Sequence, residues 1–165
     1  MKRITIDRTL LVLAVLAFFL MSVSFAFMPI AGIGWIPGVL FWGGFLSGII
    51  LVVLLEVRRR AFFIACKEDY KRLQKPRNGL LSFGSNLPAI VADCLLAVGV
   101  LATVLAFVLT EGTGLACYSC ISVTLFSFCM HCILNGRIYV YSKNRDKIRR
   151  LLEQKIVKKE GEKGI

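Results

Sequence analysis

Two groups of residues have the types and spacing to do chemistry. The first is a pair of Cys-x-x-Cys strings, Cys117-Tyr118-Ser119-Cys120 and Cys129-Met130-His131-Cys132. Such strings serve as zinc ligands or as redox thiol pairs. The second is an acid and an imidazole, Asp93 and His131, each set in a long apolar run. An ionisable group in such surroundings is costly and by default marks a functional site.

Both cysteine pairs fall on one apolar segment, with centres roughly 18 Å apart at 1.5 Å per helical residue. Zn–S bonds are about 2.3 Å, so the four thiolates cannot share one ion and no metal site is expected. Cys66, Cys94, Cys129 and Cys132 fall toward the basic, reducing side and read as small apolar packers. Cys117 and Cys120 fall at the other end of their segment, where an oxidising compartment would reach them.

The elements that position these residues follow from hydropathy. The chain of 165 residues is 57% hydrophobic and only 19% charged, outside the range of water-soluble globular domains. Cutting it at its charges leaves four apolar segments, residues 9–28, 39–57, 88–110 and 115–135, each near the ~20 residues that span a bilayer as a helix. The runs Leu10–Leu20 and Ile49–Leu55 are almost unbroken, which excludes the alternating strands of a membrane β-barrel. The expected fold is an all-α integral membrane protein: a four-helix transmembrane bundle over residues 1–135, followed by a basic tail over 136–165. The connection Pro29–Gly38 is rich in proline and glycine, and only Glu111-Gly112-Thr113-Gly114 joins the last two spans, so these form a tight antiparallel hairpin.

Charge sets the orientation. Of 21 Lys and Arg residues, three precede the first span, eight lie between Arg58 and Arg77, and ten between Arg137 and Lys163. Neither short loop holds any, so both termini are expected in the cytoplasm. Membrane topology thus accounts for the net charge of +11, and with no interleaved aromatic pattern a nucleic-acid partner is not expected. The basic start, apolar run and Ser24-Phe25-Ala26 also fit a secretory signal whose removal would leave three spans in the same orientation; the length of the run favours a span.

The basic stretch continuing the second span, with Arg58, Arg59, Arg60, Lys67, Lys71 and Arg72, is expected to contact anionic lipid headgroups. In the tail, Ile148, Leu151, Leu152, Ile156 and Val157 make one apolar stripe of a short amphipathic cytoplasmic helix, suited to the inner leaflet or to a partner helix.

Asp93 lies five residues in from Pro88, where its span begins, and His131 six residues in from Arg137, hence at about equal depth, roughly 8 Å below the inner surface. They are expected to meet across the hairpin, with Asn135 and the loop residues Ser82, Ser85 and Asn86 completing a polar patch that is the candidate ligand or proton site. Cys117, Cys120, Thr124, Ser127, His131 and Asn135 share an arc of about 80° on the fourth helix. Small residues Ala92, Gly99, Thr103, Ala106 and Thr110 share a face of the third, which predicts close packing in lipid rather than a conduit. Gly44-x-x-x-Gly48 on the second helix has the spacing of a close helix contact.

The string Cys117-Tyr118-Ser119-Cys120-Ile121-Ser122, at the outer end of a fourth helix, resembles vitamin K epoxide reductase and its bacterial relatives. That resemblance implies thiol–disulfide exchange with a quinone cofactor. The relay cysteines which that family carries after its first helix have no counterpart in Pro29–Gly38. Met130-His131-Cys132-Ile133-Leu134-Asn135-Gly136-Arg137-Ile138-Tyr139, with the loop Pro76–Asn86, resembles uncharacterised small bacterial four-span membrane proteins. This implies a multi-pass protein of the bacterial cytoplasmic membrane and no particular activity.

Paired catalytic carboxylates, a Ser/His/Asp constellation, a phosphate loop and a dinucleotide fingerprint are all missing from the sequence. The leading expectation is therefore a non-enzymatic binding, scaffold or accessory component at the cytoplasmic face, without a cofactor and with lipids, a partner membrane protein or further copies of itself as partners. The alternatives are transport of an ion or small solute by a homo-oligomer, and quinone-linked thiol exchange through Cys117 and Cys120.

Overall fold

The computed structural model describes residues 2–30, 35–65, 79–112, 114–139 and 141–142. Four helices follow one another, α1 (Lys2–Ala26), α2 (Ile36–Ala65), α3 (Leu87–Leu109) and α4 (Gly114–Asn135), and there is no strand among the described residues. All four are long and apolar enough to cross a membrane. The chain is a multi-pass helical membrane protein.

Helix ends follow local chemistry. α2 starts before the expected position because Pro37 occupies its first turn, where a missing N–H is no loss. It also continues through Arg58–Arg60 to Ala65, beyond the expected span. α3 starts where Asn86 Oδ1 accepts from Ala89 N at 3.0 Å, with Pro88 just inside. The α3–α4 turn runs through positive φ at Glu111 (53°), Gly112 (76°) and Gly114 (89°), a path that glycine takes without strain.

Neighbouring helices are antiparallel. α1 and α2 meet from Asp7–Arg58 at one end to Phe25–Phe41 at the other; α3 and α4 from Asp93–His131 to Thr103–Thr124; α1 and α4 through Phe19–Phe126 and Phe25–Tyr118. The substantial packing is α2 on α1, α1 on α4 and α4 on α3. The helices thus form a row with α1 and α4 central, in place of a closed bundle in which α2 would also pack on α3. Phe18, Met21 and Ile133 centre one apolar cluster; Ala89, Ala92 and Leu134 centre a second at the foot of the hairpin. Most remaining large apolar side chains of α2 and α3 are exposed, the surface that lipid covers.

Close approach depends on small residues. A Cβ on Gly44 would stand 2.7 Å from Ala17 O and 2.8 Å from Met21 N, and one on Gly48 would strike the Phe18 ring. The Gly-x-x-x-Gly spacing therefore operates inside the chain, seating α2 on α1. Gly99 faces Thr124, whose hydroxyl lies 3.0 Å from that of Thr103, as the matching small faces of α3 and α4 predict.

Candidate polar site at the basic end

The expected meeting of Asp93 and His131 is present. His131 Nδ1 lies 2.6 Å from Asp93 Oδ1, and the imidazole is 2% exposed. Asn135, one turn after His131 on the same face, donates from Nδ2 to that oxygen at 2.9 Å. The other carboxylate oxygen, Oδ2, accepts from Gly84 N at 2.7 Å. Leu80 O lies 3.3 Å from His131 Nε2. A carbonyl can only accept, so in that contact Nε2 carries the hydrogen, while Nδ1 lies between Asp93 Oδ1 and Asn135 Nδ2, the latter at 3.2 Å. Asp93 and His131 thus satisfy each other's polar atoms, the condition on which ionisable groups are tolerated in an apolar layer.

The loop before α3 closes this site. Ser85 N donates to Asn135 Oδ1 at 3.1 Å, and Asn86 Nδ2 donates to Leu134 O at 2.9 Å. Asn86 thus caps α3 and ties it to the end of α4. Gly79 sits directly on the Cys132 carbonyl and Gly136, where a Cβ would clash with backbone. The Phe83 ring lies over the imidazole at a centroid distance of 4.7 Å. Asp93, His131 and Asn135 therefore form one network, as expected from sequence, and Asn86 stands beside it, bonded to the α3 and α4 main chain. The loop was expected at this patch through the side chains of Ser82, Ser85 and Asn86; its backbone, at Leu80 O, Gly84 N and Ser85 N, supplies the contacts instead, which side-chain types do not reveal.

A second polar cluster was missed altogether. Asp7 is 1% exposed; its Oδ1 accepts from Arg58 Nε at 2.6 Å, and its Oδ2 from Tyr141 Oη at 3.4 Å. It joins α1, α2 and the segment after α4. Asp7 fell outside the expected spans because the first was begun at Thr9. The helix extends seven residues earlier and carries Asp7 inward. The available signal was an acid standing alone among Lys2, Arg3 and Arg8.

The arginines expected at lipid headgroups also meet acids of the protein itself. Arg58 reaches Asp7, Arg59 Nε lies 2.7 Å from Glu56 Oε2, and Arg60 Nε lies 3.1 Å from Glu56 Oε1. Lys67, Lys71 and Arg72, and the expected amphipathic helix of the tail beyond Ser142, lie outside the described residues.

Cys117 and Cys120 are free thiols, and Cys117 is buried at 1% exposure. On the polar stripe of α4, Cys117, Ser127, His131 and Asn135 are buried and Thr124 meets Thr103 of α3; Ser122, off the stripe, donates to Ser22 O on α1. No three His, Cys, Asp or Glu side chains among the described residues are grouped to hold a metal. Comparison with known proteins finds no matching family model, no matching curated protein and no matching solved structure.

Proposed function

We propose that this multi-pass membrane protein is a non-enzymatic binding or scaffold component acting at the cytoplasmic face of a bacterial cytoplasmic membrane, with both termini on that side. The orientation rests on the distribution of Lys and Arg, with none in residues 29–38 or 111–114. The functional reading rests on one observation: the oxygens of Asp93 and both ring nitrogens of His131 are engaged by groups of the chain itself. A network closed in this way holds backbone segments together. It leaves few polar atoms of the pair for a ligand and ties the loop before α3 to the end of α4.

The stripe on α4 supports the same reading, since a conduit would need those side chains turned toward water, whereas Cys117, Ser127, His131 and Asn135 are buried. Burial of Cys117 argues likewise against disulfide exchange, because attack on sulfur needs access.

Two measurements test the proposal. Purified protein in vesicles under an imposed pH gradient is expected to show no proton flux above that of empty vesicles. A photoactivatable residue replacing Ile148 in the tail is expected to give one discrete protein adduct in intact cells. A flux abolished by Asp93→Asn would overturn the reading in favour of transport, and adducts to lipid alone would remove the scaffold role.

A further inference from the structure

The polar network has an unusual client. The segment from Gly79 to Asn86 is not helical, yet it lies against the ends of two membrane helices: Gly79 on Cys132, four residues before the chain leaves α4 at Gly136, and Gly84 on Asp93, the seventh residue of α3. A loop standing in water has its backbone groups satisfied by solvent and needs no acid brought into an apolar span to hold one N–H. A loop that dips into hydrocarbon must find every partner in protein. The partners here are intramembrane side chains: Gly84 N on Asp93, Ser85 N on Asn135 and Leu80 O on His131.

Its outward side chains have the complementary character. Leu80, Leu81, Phe83 and Leu87 are exposed, the last three at 73%, 69% and 75%. They form a contiguous apolar group that runs into the lipid-facing side of α3, itself a membrane span. The sequence just before them is basic, with Lys71, Arg72, Lys75 and Arg77 within nine residues of Leu80. Apolar side chains beside a cluster of cations are the signature of a segment lying in an anionic membrane interface.

We propose that residues 80–87 are an interfacial anchor, seated at the headgroup–acyl boundary of the bilayer beside α3, and that Asp93, His131 and Asn135 are its positioning residues. The occupant of the apolar surface is lipid, and the Asp93–His131 pair holds a non-helical backbone at that depth. The inference rests on the chain being a multi-pass membrane protein and does not depend on which side faces the cytoplasm or on a scaffold role.

The full chain with Trp35→Phe, Trp42→Phe and Phe83→Trp, reconstituted in phosphatidylcholine–phosphatidylglycerol vesicles, gives a single fluorescent reporter. At an interfacial depth of about 5–10 Å, its emission is expected to be blue-shifted and to lose about half its intensity to lipids brominated near the glycerol end of the acyl chain, with less loss to lipids brominated near the methyl end. Adding Asp93→Ala is expected to raise quenching by aqueous acrylamide about twofold, as local opening releases the loop. Leu81→Trp reports the same surface should the Phe83 variant misfold, and Asn135→Ala replaces Asp93→Ala on the same ground. Water-like emission insensitive to brominated lipid would overturn the proposal. So would blue-shifted emission that no bromolipid quenches, which would put protein on this surface instead. Bromolipid quenching unchanged by loss of both Asp93 and Asn135 would remove their positioning role.

Discussion

Asp93 on α3 and His131 on α4 face each other at 2.6 Å, and Asn135 binds the same carboxylate oxygen at 2.9 Å. Each side chain compensates for the burial of the other. Asp93→Asn and His131→Gln are each expected to lower stability in mild detergent, because each leaves a buried partner unsatisfied. The double variant should cost less than the sum, with an interaction of about 0.5–2 kcal/mol. A thermodynamic cycle from denaturant titrations measures this, and strict additivity would show that the pair does not carry the contact.

This pair was legible in the sequence for a definite reason. Two apolar helices joined by a very short turn have their register fixed, so Asp93, five residues from Pro88, and His131, six from Arg137, stand at about equal height, and Asn135 follows His131 by one helical turn. The arrangement of the helices was less legible, because a face that meets lipid and a face that meets another helix are both apolar. α3 packs on α4 and leaves Leu101, Leu105 and Val108 exposed, residues no more hydrophobic than those at contacts. Only the small residues marked the contact faces, as Gly44 and Gly99 did. Asp7 was hidden because helix α1 runs past the last uninterrupted apolar residue into a charged flank, where composition no longer shows depth.

The Asp7–Arg58 pair leads to a second prediction. Arg58→Gln leaves a buried carboxylate with one charged partner fewer. Removing one member of a buried pair costs about 3–5 kcal/mol, but the Arg58 side chain is 35% exposed, so solvent screening reduces the expected loss to about 1–3 kcal/mol. Asp7→Asn together with Arg58→Gln should be less destabilising than Arg58→Gln alone, as the buried charge is then gone. If the double variant is the worse of the two, Asp7 is not held chiefly by Arg58.

Replacing Cys117 and Cys120 tests the thiol chemistry. Cys117→Ser with Cys120→Ser is expected to preserve the fold and the amount of protein in the membrane, at a cost of about 1 kcal/mol or less, since a serine in a membrane helix can donate to the carbonyl one turn earlier. Thr124 already does this to Cys120 O at 2.9 Å. Recovery of wild-type Cys117 or Cys120 as a mixed disulfide with a secreted thiol protein would instead establish exchange chemistry.

Orientation is open to direct labelling. In a variant whose native cysteines are replaced, Glu111→Cys, in the α3–α4 turn, is expected to react from outside intact cells with a membrane-impermeant maleimide. Arg137→Cys, just after α4, should react only once the membrane is permeabilised. The reverse pattern would place the basic end outside and remove any cytoplasmic role.

Two adjacent glycines of α2 separate helix propensity from helix packing. A Cβ on Gly43 meets nothing within 4 Å, whereas one on Gly44 would stand 2.7 Å from Ala17 O and 2.8 Å from Met21 N. Alanine favours a helix over glycine by up to about 1 kcal/mol, so Gly43→Ala should be neutral or stabilising. At Gly44 the atoms in the way are main-chain atoms, which cannot rotate aside as a side chain would. Gly44→Ala must therefore push α2 away from α1, with an overpacking cost of about 1–3 kcal/mol that outweighs the propensity gain. Separation at this point also loosens the contacts nearest it, Phe25 on Phe41 and Phe18 on Gly48. Unfolding of both variants in mixed micelles gives the comparison. Equal effects at the two positions would mean that α1 and α2 do not approach at Gly44, and the Gly-x-x-x-Gly spacing would lose its role inside the chain.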